Sequence, residues 1–188
     1  VDSHLVNADK IATVNLEIIR QESNIYYVYA KGILDSTWTK ASEAINRAEQ
    51  QMGVVLNRQQ QYVWERGNRD DSHQINPQEV PEAVLSGTLD ENTLQQALGE
   101  EYHVLNLTGC SLDSVLYLVN KGNPVIAKAS DTENVVIVGY DKFNTILYYP
   151  STQETKYYGL QDSTKLFGKA GNVFIGYMDS MGEPSKGE

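Results

Sequence analysis

The sequence predicts an α+β fold, because helical patterns come first along the chain and strand patterns dominate its last third. Apolar residues recur every three or four positions in two stretches, which predicts a helix over 35–53, capped by Asp35 or Ser36, and another over Leu112–Asn120. Five strand-like segments joined by short turns follow, at 124–129, 134–141, 145–149, 155–158 and 172–178. This segregation favours α+β over an alternating α/β fold.

The earlier parts of the chain contribute shorter elements. Residues 11–20 and 25–31 are rich in β-branched and aromatic residues and predict a hairpin. The loop-rich middle third carries a strand at 54–56, a short helix at 59–65, a helix at 90–98 opened by Asp90 and a strand at 102–107. We therefore divide the chain into an N-terminal β-hairpin extension (1–32), one main domain (33–178) and a tail (179–188) that we expect to fray.

Composition excludes several classes of partner. The 188 residues include 15 Lys and Arg against 25 Asp and Glu, a formal net charge of −10, which disfavours nucleic acids and anionic membranes. No apolar run is long enough to cross a bilayer, so no membrane insertion is expected. The single cysteine and three scattered histidines predict neither a disulfide nor a metal site, and no cofactor is expected. Because the chain begins without Met in a polar stretch, we expect it to be part of a larger polypeptide.

Three segments carry a family resemblance. The run KGNPVIAKASDTENVVIVGYD (121–141), followed by NTILYYP and later by GNVFIGY, resembles the second half of the C39-like branch of papain-like cysteine peptidases. In that half, a helix ending in Gly leads into G-x-P-V-I and then into H-x-V-V-I-V-G-Y-D. The run STWTKAS (36–42) stands where the family has its nucleophile motif, C-G-P-T/A-S. The resemblance implies a papain-like fold with a helical first half, an antiparallel second half and a cleft between Ser36 and Glu133. It also implies a bacterial protein of the cell envelope or extracellular space.

The positions that correspond to the family's catalytic residues hold other side chains here. Ser36, or Thr37 beside Trp38, stands at the nucleophile position. The histidine position holds Glu133, or Asn134 after a one-residue shift, and the position of the orienting Asp holds Tyr149. Ala30 falls near the oxyanion Gln position. A serine without a neighbouring imidazole is not activated at neutral pH. An engineered Cys-to-Ser change at Ser36 would leave Glu133 and Tyr149 unexplained, so the sequence predicts a non-catalytic domain.

Other readings of the same residues remain open. Cys110 precedes a helix, where the helix dipole could activate its thiol for peptidase chemistry, although a lone Cys beside Leu107 and Leu112 is more typical of a buried apolar residue. Ser36 acting with Glu133 would make a different hydrolase. A structural spacer domain is the third alternative.

Several residues are candidates for ligand binding: Trp38, Asn134, Trp64 and Arg66. The last two belong to the run YVWERGNRDD (62–71), which suits either a polar ligand or a solvated, ion-paired loop. The twelve tyrosines include adjacent pairs, and adjacent strand residues face opposite sides of a sheet. We therefore expect half of these rings to face outward and form a contact surface. The expected partner is a peptide, a protein or a glycan.

Overall fold

The computed structural model describes residues 24–67 and 69–180, which form a mixed fold of helices and antiparallel sheets. A first sheet has the strand order β2-β1-β3-β4. Its strands are β1 (Tyr26–Ala30), β2 (Ile33–Trp38), β3 (Val54–Asn57) and β4 (Tyr62–Glu65). All of its neighbouring strands run antiparallel.

A second, larger sheet is built mainly from the later part of the chain and has the order β10-β9-β8-β7-β11-β6, with β5 pairing β8. Its strands are β5 (His73–Gln74), β6 (Tyr102–Asn106), β7 (Val125–Lys128), β8 (Asn134–Tyr140), β9 (Asn144–Tyr149), β10 (Glu154–Gly159) and β11 (Phe174–Asp179). The helices are α1 (Ala41–Gln51), α2 (Glu82–Leu85), α3 (Glu91–Leu98), α4 (Leu112–Asn120) and α5 (Leu160–Lys169), with a 3₁₀ turn at Pro77–Glu79.

Helix α4 lies at the centre of the core. Most of its side chains are buried, including Leu116 and Val119, which are wholly excluded from solvent. It contacts β4 of the first sheet and β5, β7, β8 and β11 of the second. A helix that is apolar on nearly all sides is stable only when other elements surround it. Burial of α4 therefore holds the two sheets together.

The structure confirms many of the predicted elements. Ser111 caps α4 as expected, its hydroxyl accepting a hydrogen bond from the Ser114 amide, and Asp90 caps α3 through the Thr93 amide. The strands predicted at 54–56 and 102–107 and the five in the last third are all present within a residue or two. Each pairs antiparallel with its neighbour.

The predicted start of the helix over 35–53 is wrong, because the helix begins several residues later. Residues Ile33–Trp38 form strand β2, so Trp38 is a half-buried strand residue opposite Tyr26, and the helix starts only at Ala41. The cause is the two-residue turn at Lys31 and Gly32, both with positive φ, which folds β2 back onto β1. Pairing with β1 thus overrides the capping preference of Asp35 and Ser36.

Further expectations about the order of helices and strands need correction. The helix predicted at 59–65 is wrong: Tyr62–Glu65 is strand β4, because its aromatic and β-branched residues pair with β3. The first half is not mainly helical, since it carries the whole first sheet, and the second half contains α5, which was not predicted because few of its residues are apolar.

The predicted strand at 11–20 lies outside the described residues. Strand β1 pairs with β2 on one edge and with β3 on the other, so the first sheet continues across position 32. The domain division stays a prediction. Among the described residues, no helix is both long and apolar enough to span a membrane.

The antiparallel pairing of β5 with β8 provides a test of the packing. A Cβ atom at Gly139 would lie 2.6 Å from the His73 carbonyl oxygen and 3.1 Å from the Gln74 Cα, so Gly139→Ala must push β5 away from β8. We expect it to lower the free energy of unfolding by about 1–3 kcal/mol. Gly168→Ala is the matched control, because a Cβ in that exposed position of α5 meets nothing within 4 Å and should stabilise by roughly 0.5–1 kcal/mol. Denaturant unfolding measures both, and equal effects of the two substitutions would contradict the packing.

Candidate functional site

A cleft of about 460 Å³ lies where β4, the loop after it, α4 and the end of β8 meet. Carboxylates dominate its charged lining: Glu49, Glu65, Asp70, Asp71, Asp113 and Asp141. Its cations are Arg66, Arg69 and Lys142. Two tyrosine rings, of Tyr117 and Tyr140, complete the polar walls. Trp64 and Arg66, two of the residues predicted from the sequence, both belong to this acidic cleft.

Trp64 supports the floor of the acidic cleft. Its side chain is only 3% exposed, and its indole Nε1 donates a hydrogen bond of 3.0 Å to the carbonyl oxygen of Ser114 in α4. Its ring lies 6.3 Å from that of Tyr117. Arg66 donates from Nη1 to the carbonyl oxygen of Glu49 at 2.8 Å, which fixes the end of β4 to α1. The tryptophan therefore positions other groups and offers little ring surface to a ligand.

Arg69 and Tyr140 join the loop after β4 to the second sheet. Arg69 donates to the carbonyl oxygen of Asp113 at 2.7 Å and to its Oδ1 at 2.6 Å, while its guanidinium carbon lies 5.2 Å from the centre of the Tyr140 ring. The Tyr140 hydroxyl donates to the Asp70 carbonyl oxygen at 2.8 Å and accepts from Asn120 at 3.0 Å. Burial raises the pKa of Tyr140, so its hydroxyl stays a donor.

The charge of the acidic cleft is predominantly negative. Six carboxylates against three cations give it a negative potential, and burial keeps the Tyr117 phenol neutral by raising its pKa. The Lys121 ammonium lies 5.3 Å from the centre of the Tyr117 ring. No Ser, Cys or His is found among the described residues that line the acidic cleft.

Ser36 lies elsewhere, on β2. Its hydroxyl donates to Asp35 Oδ2 at 2.7 Å and accepts from the Trp38 indole at 2.7 Å. Arg47 donates to both oxygens of Asp35, at 2.8 and 3.1 Å, and this hydrogen bonding lowers the pKa of the carboxyl group. Ser36 therefore contacts an ionised carboxylate that is already bound to Arg47, on the surface beside Trp38.

The other positions aligned with the family's catalytic residues lie on the second sheet. Glu133 is exposed in the turn before β8, and Asn134 donates from Nδ2 to the Gly87 carbonyl oxygen at 2.9 Å. Burial raises the pKa of Tyr149, and the Glu133 carboxylate raises it further. Lys156 Nζ lies 5.2 Å from the centre of the Tyr149 ring. The polar contacts described for Ser36 involve only residues of β2 and, through Asp35, α1.

Cys110 is fully buried at the start of α4. Its Sγ lies 3.7 Å from the Ser42 carbonyl oxygen in hydrogen-bonding geometry. Burial, with a smaller contribution from the Glu49 carboxylate, raises the pKa of its thiol to about 12. The His103 Nε2 atom lies 3.0 Å from the Tyr26 hydroxyl, and burial lowers the pKa of His103. His73, on β5, lies opposite Tyr140 of β8 in the sheet. Cys110 thus lacks the features of an activated thiolate.

Sequence reasoning missed Tyr117 and Tyr140 as walls of the acidic cleft. Tyr117 lies within an apolar helix and Tyr140 within a run of Val and Ile, so both resembled core residues. The available signal was the place of Tyr140 at the end of β8, where a large amphipathic ring often has one polar edge at the surface. Asp141 was also missed; its Oδ1 accepts from the amides of Phe143 and Asn144 in the turn after β8.

The buried thiol generates a prediction. Because the thiolate is the reactive form and the pKa of Cys110 is raised to about 12, alkylation of the native protein near neutral pH should be slow. Denaturation should expose the thiol, return its pKa toward the ordinary value and make labelling fast and stoichiometric. Mass spectrometry after timed iodoacetamide treatment measures both rates. Fast stoichiometric labelling of the native chain would contradict this placement.

Among known proteins, similarity to this chain was found at the level of structure and not of sequence. No family model matches the chain, and no curated protein matches it in sequence. One solved structure, from Bacillus anthracis and provisionally assigned as a C39-like peptidase, is similar at 17% identity and a TM-score of 0.40. The match covers 47% of this chain and 56% of that one, so the chain spans about half the length of this structural neighbour.

Proposed function

We propose that this chain is a non-catalytic domain of the C39-like, papain-like type, which binds peptide segments carrying basic side chains. The observation that carries the proposal is the acidic cleft, whose six carboxylates and two tyrosine rings surround a volume of about 460 Å³. Volumes of this size are typical of ligand sites. The family assignment rests on the motifs of 121–141, and with it we place the domain in a larger bacterial protein of the cell envelope or extracellular space.

The surroundings of the position aligned with the family's nucleophile support the absence of catalysis. An attacking hydroxyl needs a base that accepts its proton, and that base is usually an imidazole held by a third group. The Ser36 hydroxyl donates instead to Asp35, whose carboxylate is bound to Arg47 and whose pKa is lowered. A carboxylate with a lowered pKa is a poor acceptor for a hydroxyl proton. The raised pKa of Cys110 argues against the other candidate nucleophile.

The charge and shape of the acidic cleft support a basic side chain as ligand. Carboxylates attract an ammonium or guanidinium group. The two tyrosine rings are nearly buried and already have cations of the chain over them, Arg69 over Tyr140 and Lys121 over Tyr117, so the carboxylates provide the attraction for a ligand. Leu160, a half-buried residue of the lining, offers apolar surface for the aliphatic stem of a lysine or arginine.

The binding proposal predicts a charge-dependent affinity. An array of short peptides should show binding by members that contain Lys or Arg and a loss when norleucine replaces Lys. The double variant Asp70→Asn and Asp71→Asn should weaken binding about fivefold, since each exposed ion pair contributes roughly 0.5 kcal/mol. Added salt should reduce the difference.

Asp131→Asn is the matched control, because that carboxylate is fully exposed in the turn before β8 and lies outside the lining of the acidic cleft. Fluorescence polarisation with a labelled peptide measures all three proteins. Equal affinity for Lys and norleucine peptides, or equal loss in the control and the double variant, would contradict the proposal.

The non-catalytic claim has its own test. The unmodified chain and Ser36→Cys should show no peptidase activity, because the contacts of position 36 with the described residues include no imidazole. Adding Glu133→His supplies an imidazole on the second sheet, so Ser36→Cys with Glu133→His should give at most weak thiol labelling. Cleavage of a broad peptide library and a cysteine-directed covalent probe measure this series. Turnover by the unmodified chain that disappears on Ser36→Ala or Cys110→Ala would show that the domain is an enzyme.

A further inference from the structure

The outer side of the first sheet carries a partly exposed aromatic surface, which we name the tyrosine face: Tyr27, Tyr29, Val54, Leu56 and Tyr62. The register places Tyr27 beside Leu56 and Leu56 beside Tyr62, with Tyr29 beside Val54 in the next row. Alternate residues of the same strands point inward and are buried, so these side chains share the outward side. A groove of about 620 Å³ runs over this face.

The charge of the tyrosine face is opposite to that of the molecule. Lys31 and Arg58 line the groove, and no Asp or Glu is found among the described residues that line it. This absence is notable in a chain whose formal net charge is −10. Lys31 follows the end of β1, next to the start of β3, whereas Arg58 follows the end of β3. The two cations therefore lie at opposite ends of the face, about 20 Å apart along the strand direction.

Turns with fixed backbone conformations frame the groove. Lys31, Met52 and Gln60 all have positive φ, at 55°, 57° and 64°, and all three line it. Such conformations persist only where the surrounding structure holds them. The rim is therefore formed before any ligand arrives, which reduces the entropy lost on binding.

We infer that the tyrosine face binds a short acidic oligosaccharide of the uronic-acid type. The apolar faces of sugar rings fit flat aromatic surfaces, and the tyrosine hydroxyls and the Gln60 amide supply hydrogen-bonding partners for sugar hydroxyls. Carboxylates on the terminal sugar units would lie toward the two cations at the ends of the face. The strong negative charge of the whole molecule opposes long polyanions, which favours a short acidic chain.

A peptide fits the tyrosine face less well. Peptides commonly add a strand to a free sheet edge, but β1 and β3, which supply four of the five residues of the face, are paired on both edges, and Tyr62 alone comes from β4 at the edge of the sheet. The inference also does not rest on the proposed peptide site. The tyrosine face and the acidic cleft share none of their described lining residues, and their charges are opposite. Either site can fail without the other.

Isothermal titration calorimetry with trigalacturonate tests the inference directly. We expect trigalacturonate to bind more tightly than neutral maltotriose, with the preference falling as salt is added. Tyr62→Ala, at a position 55% exposed, should weaken trigalacturonate binding about tenfold without loss of folding. Lys31→Gln with Arg58→Gln should bring the affinities for the two sugars together.

Tyr157→Ala is the matched control, since Tyr157 is 58% exposed on β10 of the other sheet, and it should leave binding unchanged. An acidic peptide containing Tyr, titrated in parallel, distinguishes the alternative occupant. The inference is overturned if trigalacturonate does not bind, if Tyr62→Ala and Tyr157→Ala have equal effects, or if the acidic peptide binds this face and the sugar does not.

Discussion

Burial of α4 is the constraint on which the rest of the structure depends. Its Leu, Val and Tyr side chains fill the space between the two sheets, and its backbone and polar side chains also hold the surrounding elements. The Ser114 carbonyl oxygen accepts from Trp64, the Ser114 hydroxyl donates to Glu49 of α1, and Asn120 donates to Tyr140 of β8. The walls of the acidic cleft are therefore attached to the core, and their geometry is fixed by packing.

The distribution of charge separates two surfaces with different chemistry. The acidic cleft collects carboxylates around two tyrosine rings, in keeping with the overall charge of the chain, whereas the charged residues described along the tyrosine face are cations. Tyrosine lines both surfaces, but the rings in the acidic cleft are nearly buried, whereas Tyr62 of the tyrosine face is 55% exposed. Ser36, the position aligned with the family's nucleophile, lies outside both linings and is bound to its own neighbours on β2.

The sequence predicted elements whose pattern is local and missed those that depend on distant pairing. Helix α4 and the strands of the last third follow from periodicity, caps and turns. Trp38 was misplaced because β2 exists only through its pairing with β1, which capping preferences near Asp35 do not reveal. The same limit applies to the acidic cleft: Trp64 and Arg66 stand in one polar run, whereas Tyr117 and Tyr140 come from a core helix and a core strand and meet that run only in the folded chain.

The central claim is that the ligand-binding surface is the acidic cleft and not the positions aligned with a peptidase site. Two-dimensional NMR of the ¹⁵N-labelled protein, titrated with a lysine-containing peptide selected from the array, measures this residue by residue. The account predicts that chemical shifts change for amides of Glu65, Asp70, Asp71, Tyr117 and Tyr140, while those of Ser36 and Tyr149 stay unchanged. Changes confined to Ser36, Glu133 and Tyr149 would contradict it.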